Sequence, residues 1–355
     1  MKWLPVCFLL MGLSLVSQTT CQIADFSKGK WVKFSTTKKA IYQVTGAQLK
    51  QSGISLPISS NKIQVFGFDA SVLNEKVPNT VPYGNKELAI LIKDGGDGIF
   101  DEKDSFLFFA AGNLKWKMSI EGTWEHQKLN YSDTCNFFLT IGENGKRINS
   151  SNYLSSSNQK IRNYQSHILW EQDSINLLNS GKLWLGQPMG QGYGKIGSVS
   201  TMINSKNIIE TDPIIFNTQY VSSNYNQNAQ FDLKWNDIKL RSTSIKPISG
   251  LVYDATANKL MDSFTYWSNT NNTTPVSSNL TVQYLAPFGS TGWLDFVEIH
   301  MSKQLGFGDE KYFSFSGKFD NQNYVYELSD ADSTAMVWDV TSPLEPIGFQ
   351  TDRKS

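Results

Sequence analysis

Short apolar runs that alternate with polar residues every second position constrain this chain more than any other feature. Phe231, Leu233 and Trp235 alternate with Asp232, Lys234 and Asn236, and Leu280, Val282 and Tyr284 alternate with Thr281 and Gln283. A period of two sets one face of a strand on a core and the other towards water. Residues 88–92 (Leu, Ala, Ile, Leu, Ile) are apolar throughout, the pattern of a strand covered on both faces. Residues 63–66, 137–141 and 324–326 add further strands, and clusters of Gly, Asn, Asp and Ser separate them. Helical patterning is scarce. Thr45 is placed to cap a short helix through Ala47, Leu49 and Lys50, with Gly53 at its left-handed exit. A second short helix is read over residues 173–179, before Gly181. So few helices leave no crossovers for a parallel sheet. The expected fold is all-β: two β-sandwich-like domains of mainly antiparallel strands, with one or two short helices.

At about 150 residues per domain, 355 residues agree with two domains. A chain of this size can bury cores without disulfides or metals. Lys plus Arg and Asp plus Glu are both 32, so the net charge is zero. That balance argues against nucleic acid as a partner and against an acidic disordered tail. With 18% charged and 13% aromatic residues, the composition fits an extracellular β-protein.

The opening supports export. Lys2 supplies a positive start, residues 3–16 are apolar but too short for a comfortable span, and small polar residues follow. Thr19 and Cys21 are small residues at the positions a signal peptidase reads, so residues 1–21 are taken as a signal and Gln22 opens the mature chain. Gln18 disfavours an acylated Cys21. The expected location is beyond the inner membrane: periplasm, outer membrane or cell surface. Cys7 and Cys21 leave with the signal, so Cys135 has no partner for an internal disulfide. The polar stretch of residues 149–163 reads as a linker or loop between a β domain of residues 22–148 and a second sandwich of residues 164–342. Residues 268–279 read as a loop inside the second domain. Pro343, Pro346 and the charged end make residues 343–355 an exit segment.

Candidate sites are sparse. Asp94, Asp97, Asp101 and Asp104 lie among glycines and could wrap a calcium ion through several oxygens. The spacing misses the EF-hand register, because aligning Gly98 with its glycine puts Lys93 and Gly95 at ligand positions, and a glycine turn leading into a strand is preferred. Residues 192–197 carry the letters of a dinucleotide fingerprint, but Pro188 precedes them and Ser198, Val199 and Ser200 continue as strand, so a loop is preferred. Cys135 with His126 would be the one available thiol–imidazole pair, yet Cys135 opens an apolar strand, where a buried structural thiol is the ordinary outcome. His126, His167 and His300 are too scattered for a metal-ligand spacing, and His300 reads as a strand side chain. Asp309 and Glu310 are adjacent, so a strand would point them to opposite faces. Trp116, Trp124, Trp170, Trp184 and Trp267 fall in or near loops and could stack on sugars, although core or edge positions are preferred. No catalytic or cofactor-binding residue is assigned, and no metal or cofactor is expected beyond the calcium candidate.

Several stretches together resemble one family. They include residues 31–37 (Trp, Val, Lys, Phe, Ser, Thr, Thr) with 40–44, 63–67, 97–101 and 104–109. Residues 171–177, 180–186 (Ser, Gly, Lys, Leu, Trp, Leu, Gly), 292–296 and 337–343 (Val, Trp, Asp, Val, Thr, Ser, Pro) follow in order. The chain is similar to the N-terminal region of PorU-like proteins, the gingipain-type cysteine peptidases that act as sortases of the Bacteroidetes type IX secretion system. Lys182 and Gln187 depart from the arginine and the acidic residue usual there. The resemblance implies a peptidase domain after this segment, with a histidine following glycine and a cysteine nucleophile. Neither motif occurs here and Cys135 does not correspond to that nucleophile, so no catalytic residue carries over. The resemblance further implies a segment that covers or positions the peptidase domain. Its implied partners are that domain, secreted cargo, and outer-membrane attachment proteins such as the β-barrel PorV. A free-standing exported binding module for glycans or a protein partner is the alternative.

Overall fold

The computed structural model describes residues 23–68, 84–120, 122–129, 132–151, 159–179, 181, 183–251, 253–267, 277–308, 310–318 and 322–349. Its strands form two sandwiches around separate cores, so the chain is all-β. The expected signal at residues 1–21 lies outside the described residues.

The first unit runs β1 (Trp31–Thr36), β2 (Ala40–Thr45), α1 (Gly46–Gln51), β3 (Ile58–Ser59), β4 (Ile63–Gly67), β5 (Lys86–Leu88) and β6 (Leu91–Lys93). It continues with β7 (Ile99–Phe100), β8 (Ser105–Ala110), β9 (Leu114–Met118), β10 (Trp124–Lys128) and β11 (Cys135–Ile141). The antiparallel sheets β1-β11-β4-β5 and β2-β8-β6 enclose Ile63, Val65, Leu88, Ile90, Phe106, Phe108, Phe137 and Leu139. The apolar run at residues 88–92 is not one strand. β5 belongs to the first sheet and β6 to the second, and Ala89 and Ile90 are buried at the corner between them. A chain that crosses from sheet to sheet is covered on both sides, hence the unbroken apolar run.

Helix α1 forms where its caps predict. The Thr45 hydroxyl accepts from Gln48 N–H (3.3 Å), while the Gln48 side chain accepts from Thr45 N–H (2.9 Å), a complete capping box. Gly53, at φ +86°, takes the left-handed exit.

The second unit runs β12 (Asn149–Ser151), β13 (Lys160–Ile161), β14 (Asn163–Glu171), β15 (Ser198–Asn204), β16 (Ile214–Ser223), β17 (Ala229–Trp235) and β18 (Ile238–Ile245). It ends with β19 (Asn258–Tyr266), β20 (Ser277–Leu285), β21 (Thr291–Gln304), β22 (Val325–Tyr326), β23 (Val337–Asp339) and β24 (Ile347–Phe349). Sheets β14-β21-β16-β19 and β15-β20-β17-β18 face each other over Phe216, Tyr220, Phe231, Leu233, Leu280, Val282, Val297 and Ile299. Tyr220 and Phe231 stack between the sheets at 4.5 Å and 10°. The alternation seen at residues 231–235 and 280–284 is the inner faces of β17 and β20.

Three sequence expectations change. The stretch 149–163 is paired strand at its described ends: β12 lies parallel to β24 and β13 parallel to β22. Its polarity misled, because backbone pairing and the Lys160 and Arg162 ion pairs with Glu327 (2.6 Å each) hold it without apolar burial; residues 152–158 lie outside the described residues. The helix expected at residues 173–179 is absent, since Ile175 is drawn into a bridge with Leu185 and both Ser174 and Ile175 donate to the Leu185 carbonyl (2.9 Å). Leu344 and Glu345, in the stretch read as an exit, fold back on the first unit. Leu344 packs against its core and accepts from Ala89 N–H (2.8 Å), and Glu345 pairs with Lys146 (2.6 Å).

Candidate functional site: a histidine and tryptophan clasp between the units

The hairpin β9–β10 stands apart from both sheets of its own sandwich. Its register sets Trp116 opposite His126 and Met118 opposite Trp124. Alternation then gives it two faces: Lys117, Glu125 and Gln127 are exposed, while Trp116, Trp124, His126 and Lys128 are half-buried. That second face lies against the outer face of the sheet β14-β21-β16-β19.

The 14-residue strand β21 prepares the receiving surface. Its register against β16 shifts between Gln219 and Tyr220, leaving Asp295 as the extra residue of a bulge. Beyond it Val297, Ile299 and Met301 join the core, and the alternate positions Phe296, Glu298 and His300 meet the hairpin. His167 on β14 is the register partner of His300. All three histidines of the described chain therefore converge, although 41 and 133 residues separate them in sequence (167−126 and 300−167).

Glu298 is the hub. Its Oε1 accepts from the His126 backbone N–H (2.8 Å) and meets His126 Nδ1 (2.7 Å), and its Oε2 accepts from Asn217 Nδ2 (2.8 Å) and lies 3.6 Å from His300 Nε2. Burial alone would raise the Glu298 pKa. The hydrogen bonds from His126, His300 and Asn217 outweigh it and hold the carboxyl well below the usual range. His167 Nδ1 and His300 Nδ1 lie 2.9 Å apart, which requires an N–H on one ring and a lone pair on the other. Burial, aided by the neighbouring His300, lowers the His167 pKa to about 4. The second nitrogen of His167, Nε2, is buried without a hydrogen-bond partner. Trp124 and Trp116 lie over His167 at 4.5 and 5.4 Å, and Trp116 meets His300 edge-on at 5.4 Å. At the hairpin's foot Lys128 reaches Glu171 (2.9 Å) and Asp173.

Chemically, this is a clasp built of shared protons and of rings packed tilted or edge-on. Its nitrogens face one another and Glu298, and among the described residues no group of three or more His, Cys, Asp or Glu is arranged to hold a metal ion. The sequence placed His300 on a strand correctly, but missed Glu298 and Asn217. The available signal was the alternation of Glu298 and His300 with Val297, Ile299 and Met301, which marks a second covered face.

The other candidates are dispersed. Asp94 accepts from Ser60 (2.5 Å) and Gly96 N–H (3.0 Å), Asp97 from Ile99 N–H (2.8 Å), Asp101 from Lys103 N–H (2.7 Å) and Asp104 from Asp101 N–H (2.6 Å). These are the local bonds of a turn, and the turn docks on α1: Gly46 and Ala47 donate to the carbonyls of Asp104 (2.8 Å) and Glu102 (3.1 Å). Cys135 is half-buried against the first core, where burial pushes its thiol pKa up, and His126 is engaged by Glu298 instead. Residues 192–197 form a loop closed by the Met189–Ile196 bridge, with no helix following. Asp309 lies outside the described residues, and Glu310 accepts from Asn204. Trp116 and Trp124 belong to the clasp and Trp170 to the second core, whereas Trp184 and Trp267 are exposed. Among the described residues no helix is long and apolar enough to cross a membrane.

The fold thus defines a class: tandem antiparallel sandwiches joined by a hairpin clasp. No family model matches the chain, and no curated protein matches it in sequence. A solved structure does resemble it. Dimeric latent PorU from Porphyromonas gingivalis is similar over 93% of this chain, with a TM-score of 0.70 and 18% identity; this chain spans 30% of that one. At that identity the likeness is one of fold. A carbohydrate-binding module in complex with calcium and xylotriose (TM-score 0.23, 15% identity, 38% of this chain and 98% of that one) is too distant to carry an argument. So is PNGase F, a glycosylasparaginase from Flavobacterium meningosepticum (TM-score 0.25, 10% identity, 77% and 96%).

Proposed function

We propose that the chain is the non-catalytic N-terminal segment of a PorU-like type IX secretion sortase. The fold likeness to PorU, continuous over both sandwiches, carries this reading. In it, the full-length protein removes the C-terminal sorting domain of exported cargo and joins the new C-terminus to surface lipopolysaccharide. This segment covers or positions the peptidase domain, a role compatible with the names dimeric and latent borne by its solved neighbour. Cargo, the peptidase domain and an attachment protein such as PorV would be its partners, at the outer membrane or cell surface. The test is to read the transcript past codon 355. A frame that continues into a Gly-His and cysteine-bearing domain supports the assignment, and a stop followed by unrelated sequence overturns it.

One observation favours an independent binding module instead. Strand register brings Ser198, Leu285 and Ile245 to one end of the sheet β15-β20-β17-β18. The loops there expose Tyr193, Phe288, Leu251 and Tyr253. Retention on a glycan array that disappears on Tyr193→Ala and Phe288→Ala would support that reading.

A further inference from the structure

The contact between the hairpin and the second sandwich is rich in titratable groups. His167 contributes from β14, Glu298 and His300 from β21, and Asn217 from β16, where Ser263 of β19 donates to its amide oxygen (2.7 Å). The hairpin brings His126, and Lys128 with its two carboxylates Glu171 and Asp173. Asp295 is bonded to Gln219, Lys303 donates to the Asn204 carbonyl (2.9 Å), and Lys117 and Glu125 lie on the hairpin's exposed face.

We propose that the β9–β10 hairpin is an acid-released latch: a second proton on the His167–His300 pair detaches it from the second sandwich while both cores stay folded. With one Nδ1 proton the two rings share a hydrogen bond at 2.9 Å. A second proton sets two N–H donors against each other at that distance, with no lone pair between them. It also places a new cation beside one carboxylate, Glu298, whose oxygens already accept from His126 and Asn217. With its Nδ1 as the acceptor, His167 already carries its N–H at Nε2, a buried position without a partner, so nothing there can take up the added charge. The indoles of Trp116 and Trp124 can steady a cation but supply no acceptor in the plane of these rings. Burial keeps His167 neutral well below the ordinary histidine range, so release falls in mildly to strongly acidic solution. The latch does not rest on the sortase reading, and a stop at codon 355 would leave it standing.

Hydrogen exchange on the whole chain tests it, with rates corrected for their intrinsic pH dependence. Protection of residues 114–128 should fall roughly tenfold per pH unit between about pH 6 and pH 4, while β17 and β20 keep theirs. His167→Phe preserves ring packing and cannot take a proton; His167→Gln is a neutral polar control. Both should give a flat profile over the same range. A flat profile in the wild-type chain, an unchanged fall in the two variants, or loss of β17 and β20 in step with the hairpin would each overturn the latch.

Discussion

Single side chains decide how closely the layers approach. At Gly292 an added Cβ would lie 2.5 Å from Tyr284 Cδ2 and 2.8 Å from Phe231 Cζ, both buried rings locked in the second core. Gly292→Ala should therefore cost about 1–3 kcal/mol by overpacking, read as a lower urea midpoint with an unchanged slope. Protonation at the clasp acts through the unfolded chain too. His167 has a folded pKa of about 4 against an ordinary 6.5, so between those values the unfolded chain binds a proton that the folded one excludes. Its stabilisation is present above about pH 6.5 and is lost as pH falls towards 4, by at most about 3 kcal/mol. Glu298, held below its ordinary 4.5, adds a loss in the same direction at lower pH. Urea midpoints should be flat near neutrality and decline below about pH 6.5, with a shallower decline for His167→Phe.

Individual elements show what local chemistry can and cannot specify. Helix α1 is only six residues long, too short to persist alone. Its capping box and the docked acidic turn keep it in place, with Lys50 paired to Glu102. Thr45→Ala should cost about 1 kcal/mol, measured by thermal melting, with no change in the β signal of the circular dichroism spectrum. The hairpin β9–β10 depends on its surroundings instead. Two strands of five residues are marginal in water, and this pair gains its order from the second sandwich.

Across the whole molecule, the two sandwiches are tied at sites far apart in sequence. The hairpin reaches forward to β14 and β21, and Leu344 and Glu345 return to the first unit, where they meet its core, Ala89 and Lys146. Leu344→Ala should remove about 1–2 kcal/mol, because the residue is partly covered. Proteolysis should then cut first in residues 337–349 while the second core resists; uniform digestion of both units would contradict this layout.

The all-β class, the inner faces of β17 and β20 and the capped helix α1 were legible in the residues alone. Each follows from local rules: a period of two, and a side chain competing for a nearby N–H. The sequence did not reveal that residues 88–92 turn a corner, that polar residues 149–151 and 160–161 are paired strands, or that Leu344 and Glu345 pack on the first unit. Those depend on which backbone groups meet across long stretches of chain. The clasp is the clearest case. His126, His167 and His300 show no ligand spacing along the chain, and only sheet register, a bulge at Asp295 and the seating of one hairpin bring them together around Glu298. The proton between His167 and His300 and the shifted acidities of His167 and Glu298 arise from burial and mutual contact, physical quantities that exist only after the two units have met.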